Sequence, residues 1–156
     1  MKKISCGTII VYDGKILICR PSWKRNDWNL PKGLMYTNEN YIVAAIRETY
    51  EECNIDININ IKKIEDVGLL PYLNDKDLYL FLVEIEHLPD NIKCNSFFEK
   101  DGKLLPEMVD YKWIEIDEYK KYLCHHLVVL FDEIYEKIVD FTKKHDIFEL
   151  EPNKNQ

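Results

Sequence analysis

Apolar residues recur along this chain with two different periods, and the switches between them mark out its elements. Residues 4–12 are rich in β-branched side chains and meet the apolar run 16–19 across Asp13-Gly14. An Asp-Gly pair between two such runs suits the tight turn of a β-hairpin, whose central positions need positive φ. The chain is therefore predicted to open with two paired strands. Residues 21–29 are polar apart from Trp23 and Trp28 and end at Leu30-Pro31-Lys32-Gly33, which reads as a loop. A helix is predicted from about residue 39 to residue 53, with Thr37 or Asn38 as its cap and Asn54, tolerant of the left-handed conformation, as its stop. Strand-like segments follow at 57–61, 64–70, 78–86 and 111–116, and residues 127–143 return to helical periodicity. Between 88 and 108 two prolines, a glycine and mixed charge suit a long loop or flap. The order strands, helix, strands, helix predicts an α/β fold, a three-layer α/β/α sandwich on a mixed sheet, in one domain of residues 1–148 with a polar, frayed tail at 149–156.

With 156 residues, 46% of them hydrophobic, the chain can bury a core of its own. Its 28 acidic residues outweigh 21 basic ones, and the net charge of -7 repels long polyanions, so any nucleic-acid contact has to be local. There is no apolar run of the roughly 20 residues that a membrane-spanning helix needs. The start, Met1-Lys2-Lys3, leads straight into strand-like sequence, so a cytoplasmic protein without a membrane partner is expected. The five cysteines, Cys6, Cys19, Cys53, Cys94 and Cys124, have no metal-finger or redox spacing and read as reduced, mostly buried thiols.

Candidate chemistry lies in residues 33–55. Glu48, Glu51 and Glu52 stand at i, i+3 and i+4 of the predicted helix and so share one face, while Ile42, Ala45, Ile46, Thr49 and Cys53 recur on the face that would pack on a sheet. Three like charges in the last turns repel one another and oppose the helix dipole. A hard divalent cation such as Mg²⁺ relieves that repulsion, and metal ions so held support phosphoryl chemistry. On their own the three glutamates read more simply as a solvated helix face. The whole set of Gly33, Glu39, Arg47, Glu48, Glu51, Glu52, Asn54 and Ile55 changes that, because it resembles the Nudix box: Gly, five residues, Glu, seven residues, Arg-Glu-x-x-Glu-Glu, one residue, Gly and an aliphatic. Two positions depart from it. Asn54 stands where the family has Gly, and Thr49 where an aliphatic is usual.

The resemblance implies a hydrolase of acid anhydrides that splits a diphosphate linkage with Mg²⁺, or Mn²⁺ in its place. Glu48, Glu51 and Glu52 would be metal ligands together with a backbone carbonyl at Gly33 or Lys32, and Glu48 or a later acidic residue would act on the attacking water. Glu39 and Arg47 would pair to hold the loop against the helix. A further acid from outside the box is expected, Glu107 first, then Asp110 and Glu99. Lys32 is placed to bind a substrate phosphate, Arg20 to add a second positive contact, and Tyr72 to stack on a base. The run Trp28-Asn29-Leu30-Pro31-Lys32-Gly33 resembles the approach to the box in dinucleoside polyphosphate and diphosphoinositol polyphosphate hydrolases, whereas Pro71 and Tyr72 fit the fingerprints of ADP-ribose and dinucleoside polyphosphate hydrolases alike. The expected partner is accordingly a small nucleotide: a dinucleoside polyphosphate first, ADP-ribose second, the 5′ end of an RNA third. A catalytically silent nucleotide-binding domain is the competing class. His125-His126, about 100° apart on a helix, make a poor chelate and read as a surface or boundary pair.

Overall fold

The computed structural model describes residues 2–148, so the tail at 149–156 lies outside the described residues. Strands β1 (Lys3–Tyr12) and β2 (Lys15–Pro21) form the opening hairpin, with Asp13 at φ 51° and Gly14 at φ 75° in its turn. A short strand β3 (Lys32–Leu34) leads to helix α1 (Tyr41–Cys53), followed by β4 (Lys63–Leu73) and β5 (Lys76–Glu84). A small hairpin, β6 (Phe97–Lys100) and β7 (Lys103–Pro106), precedes β8 (Met108–Glu115). The short α2 (Tyr119–Tyr122) and the long α3 (His125–Phe148) close the chain.

The main sheet runs β4-β5-β1-β2-β8, and β3 also pairs with β1. Among the described strands of this sheet only β1 and β5 are parallel neighbours, which makes the sheet mixed. Alternation along the strands sorts side chains to two faces. Ile9, Ile18, Leu80 and Ile114 meet Leu127, Phe131 and Ile138 of α3, whereas Ile10, Leu17, Phe81 and Val83 meet Ala44, Ala45 and Cys53 of α1. The three-layer α/β/α sandwich expected from the sequence is therefore the observed fold. Among the described residues no helix is long and apolar enough to cross a membrane. All five cysteines are free thiols, with Cys6, Cys19 and Cys53 buried.

Four local expectations are corrected. The helix cap is Asn40, whose side chain accepts from Val43 N at 3.0 Å, and neither Thr37 nor Asn38. Residues 32–34 are a strand, because Gly33 pairs with Cys6 of β1. Residues 57–61 are not a strand: Asp56 accepts from Asn58 N through its side chain and from Asn60 N through its carbonyl, closing a turn. Ile57 is then 1% exposed and Ile59 83%, a contrast that residues two apart on one strand face would not show. Finally, the segment 88–108 carries the β6–β7 hairpin around Asp101-Gly102, at φ 52° and 76°.

Candidate active site

Helix α1 and strand β3 face each other across the box. Thr49 fixes the helix to the sheet, since its hydroxyl donates to Ala45 O (2.8 Å) and shares a 2.7 Å hydrogen bond with Thr8 of β1. That contact rotates α1 so that Glu48 and Glu52, at 8% and 4% exposure, join the buried side of the helix. By spacing alone α1 has one dry face and one acidic face. The structure instead buries two of the three acids and leaves Glu51 as the one whose side chain is a third exposed.

Each buried acid is tied to the β3 segment. Lys32 N donates to Glu52 Oε1 at 3.0 Å. Gly33 lies directly against the Glu48 carboxyl, where a Cβ would come within 2.2 Å of Glu48 Cδ. Arg47 then gathers the rest of the box. Its guanidinium donates to both Glu39 oxygens (2.6 and 2.9 Å), to Glu48 (2.7 Å), to Glu51 (3.3 Å) and to Leu34 O (2.9 Å), and lies 3.9 Å from the Tyr36 ring centroid. Planar geometry with several donors is what lets one side chain serve all of these. The Glu39–Arg47 pair inferred from the resemblance is formed, and the guanidinium beside Glu39 holds that carboxyl below its ordinary range.

Burial pushes the Glu52 carboxyl up to about 8, with the charges of Glu48 and Glu107 adding to the rise and Lys32 opposing it. Burial also raises Glu48, against the pull of Arg47 and with Glu51 and Glu107 contributing. Glu107, which follows β7, thus acts on both acids. Of the other two candidates, Asp110 pairs with Arg20 at 3.8 Å, and Glu99 stands exposed on the β6–β7 hairpin. Arg20 is accordingly engaged with a carboxylate of the neighbouring strand. Among the described residues no three His, Cys, Asp or Glu side chains already stand in metal-ligand geometry, and Glu48 and Glu51 both turn toward Arg47.

On the far side of Lys32 lies Tyr72. The Lys32 ammonium stands 5.3 Å from the Tyr72 ring centroid, and burial raises the phenol while Lys32 lowers it. Residue 32 therefore reaches both the acids, through its backbone, and the aromatic ring, through its side chain. His125 and His126 are exposed at the start of α3, as expected, yet His126 also meets Tyr72 edge-on at 6.1 Å.

Sequence reasoning missed several supports. The Tyr111 hydroxyl of β8 donates to the backbone carbonyl of Glu52. Asn54 caps α1 in the left-handed region, φ 61° and ψ 30°, as its sequence position predicts, but the bonds of its side chain to Asn91 O and Asn95 Nδ2, each at 2.9 Å, were not foreseeable. These partners come from strands and loops distant in sequence, so no local period could announce them. A cleft of about 680 Å³ lies away from these acids, between the β1–β2 turn and α3 around Glu84 and Asp117.

This arrangement, with two buried carboxylates behind a close-approach glycine and the charge of Lys32 acting on Glu52, coincides with what comparison finds. The NUDIX domain family profile matches residues 1–130. An uncharacterized 17.7 kDa protein of Enterobacteria phage T4, from its e-segB intergenic region, is 34% identical over 120 residues, 69% of this chain and 79% of its own length. An RNA pyrophosphohydrolase of Pelagibacter ubique is 25% identical over 134 residues, covering 81% of this chain and 84% of its own. Among solved structures, a C. elegans Ap4A hydrolase binary complex superposes with a TM-score of 0.64 at 22% identity, over 88% of this chain and 98% of that one. The NUDIX domain of Shewanella oneidensis NrtR complexed with ADP ribose gives 0.65 at 12%, over 88% and 89%. The last two likenesses concern the fold. The chain belongs to the Nudix family, and with it to the pyrophosphohydrolases, which act on acid anhydrides.

Proposed function

We propose that residues 1–148 form one catalytic domain that hydrolyses a diphosphate linkage in a dinucleoside polyphosphate, with a divalent cation, Mg²⁺ or Mn²⁺, held by Glu48, Glu51, Glu52 and the carbonyl of Gly33. The donor set suits such an ion. Its atoms are hard oxygens, and burial and mutual repulsion raise Glu48 and Glu52, a cost that a bound cation offsets. Bound there, the cation would supply neutralisation of a phosphate oxygen and a lowered pKa for a water.

The remaining work falls to the chain's own groups. Lys32 binds a phosphate of the substrate, and Tyr72 beneath its ammonium offers a ring face to the base. Arg20 adds positive charge once released from Asp110. Water adds to one phosphorus, the bridging P–O bond breaks, and a carboxylate of the Glu48, Glu52 and Glu107 group takes the proton. Arg47 and Glu39 hold the acids and the β3 segment in place. The observation that carries this reading is the position of Lys32, bonded to Glu52 through its backbone and standing over Tyr72 with its side chain. The C. elegans Ap4A hydrolase fold supports the choice of substrate. Hydrolysis at the 5′ end of RNA is the second reading, favoured by the Pelagibacter relative.

The test is to incubate the protein with diadenosine tetraphosphate, diadenosine triphosphate, ADP-ribose and a 5′-triphosphorylated RNA, each with Mg²⁺, with Mn²⁺ and with a chelator. Cleavage of the diadenosine compounds that needs the cation and collapses in Glu52→Gln is the expected result. Faster turnover of the RNA selects the second reading, and binding without any turnover would leave a silent nucleotide-binding domain.

A further inference from the structure

The end of a helix leaves carbonyls without partners inside the helix. At the end of α1 they are met from a distant part of the chain. Asn95 N donates to Glu51 O at 2.6 Å, the Tyr111 hydroxyl to Glu52 O, and Lys93 N to Cys53 O at 3.3 Å. The Asn95 side chain adds two more bonds, from Nδ2 to Tyr50 O at 3.0 Å and to Asn54 Oδ1 at 2.9 Å. One half-buried asparagine thus makes three bonds to the turn that carries Glu51 and Glu52. That turn has reason to loosen. Its two carboxylates repel each other and stand at the negative end of the helix dipole, and the turn holds no basic residue to offset them.

The stretch that meets the helix also holds Glu107. Glu107 N donates to Ser96 O at 3.0 Å, Met108 N to Cys94 Sγ at 3.3 Å, and Ser22 N to Glu107 O at 3.0 Å. Two hydrogen bonds through two consecutive residues therefore join the backbone of Glu51 to that of Glu107: Asn95 N to Glu51 O, then Glu107 N to Ser96 O. The charge of Glu107 in turn bears on Glu48 and Glu52. Acids that belong to a helix and to the entry of β8 are tied together at residues 95 and 96, outside the box.

We propose that Asn95 is a positioning residue, which fixes the last turn of α1 so that Glu51 and Glu52 keep one disposition toward Glu107. This rests on the diphosphate-hydrolase reading above and adds to it a residue that acts only through the acids it aligns. Removing the Asn95 side chain leaves Asn54 N on Tyr50 O and Asn54 Nδ2 on Asn91 O, so the helix end stays capped and the protein folds. What is lost is the side-chain grip on the acidic turn.

The test compares the native protein with Asn95→Ala at a temperature where circular dichroism and urea titration show both fully folded. Mn²⁺ binding, read from the free-ion electron paramagnetic resonance signal, weakens about tenfold in the variant, the scale expected when a partner behind metal ligands is removed. The kcat for diadenosine tetraphosphate falls by a similar factor while KM stays near the native value, and the fall is smaller in a Glu107→Gln background. Asn95→Ser is read in the same way if the alanine variant does not fold. A folded variant with native Mn²⁺ affinity and native kcat, or a fall in kcat undiminished in the Glu107→Gln background, overturns the proposal. Weakened Mn²⁺ binding by the folded variant supports it even where no protein hydrolyses anything, a result that sinks the hydrolase reading alone.

Discussion

Gly33 and Glu48 approach so closely that a methyl group on residue 33 would sit 2.2 Å from the Glu48 carboxyl carbon and 2.3 Å from each of its oxygens. The strand bearing Gly33 is paired to β1 and the helix bearing Glu48 is held by Thr49, so the group that gives way is the end of the Glu48 side chain. Gly33→Ala should therefore displace the Glu48 side chain. We expect a stability loss of no more than about 1 kcal/mol, because only the end of a flexible side chain must shift, and a fall in kcat/KM on the order of 100-fold from the misplaced carboxylate. Urea unfolding and steady-state kinetics measure the two separately, and an alanine variant with full activity would show that the contact does not order Glu48.

The buried Glu52 makes stability depend on pH in a defined direction. Its carboxyl titrates near 8 in the folded protein against 4.5 for an ordinary glutamate, so the folded state holds a proton that the unfolded chain has given up. Without divalent cation, stability contributed by that proton is complete below pH 4.5, falls as pH rises, and is gone above about 8. The span is on the order of a few kcal/mol. Unfolding midpoints at pH 5, 6.5 and 8 in chelator should decline, Glu52→Gln should flatten the decline, and Mg²⁺ should restore more stability at pH 8 than at pH 5. A chelated protein equally stable at all three would contradict the assignment.

Asn54 does two things, of which glycine in the same place could do only the first. It adopts the left-handed cap and ties α1 to the segment ahead of β6 through Asn91 and Asn95. Asn54→Gly keeps the conformation and loses both side-chain bonds, a cost of about 1–2 kcal/mol. Asn54→Ala loses the bonds and adds about 1 kcal/mol of backbone strain. Urea midpoints should thus rank Asn above Gly above Ala, and a glycine variant as stable as the native protein would show these bonds to be dispensable.

The layers of the fold were legible because the strands and α3 alternate or recur with unbroken periods, and the box was legible because its residues sit at fixed offsets. Where sequence reading failed, a local pattern had been answered by a distant partner. Alternating isoleucines at 57, 59 and 61 look like a strand, yet the Asp56 carboxylate captures the backbone first. Gly33 looked like part of a loop because its strand partner, Cys6, belongs to β1. The spacing of the acids on α1 points them outward, and nothing local reveals that Thr49 reaches Thr8 and turns the helix. Glu107 was one of three loop carboxylates until the sheet brought its charge to bear on Glu48 and Glu52.

One edge of β1 is divided: residues 5–7 pair with β3 and residues 11–12 with β2, while the opposite edge is matched to β5 over residues 3–11. A strand spoken for on both sides has no freedom to slide, since a slip of one residue would have to be made against three neighbours together and would turn its core side chains outward. The distance between the β3 segment and the glutamates of α1 is thereby set by the same lattice that holds the interior. Thermal opening of the acids and melting of the domain should then be one cooperative event, with no intermediate in which the scaffold survives and the box has come apart.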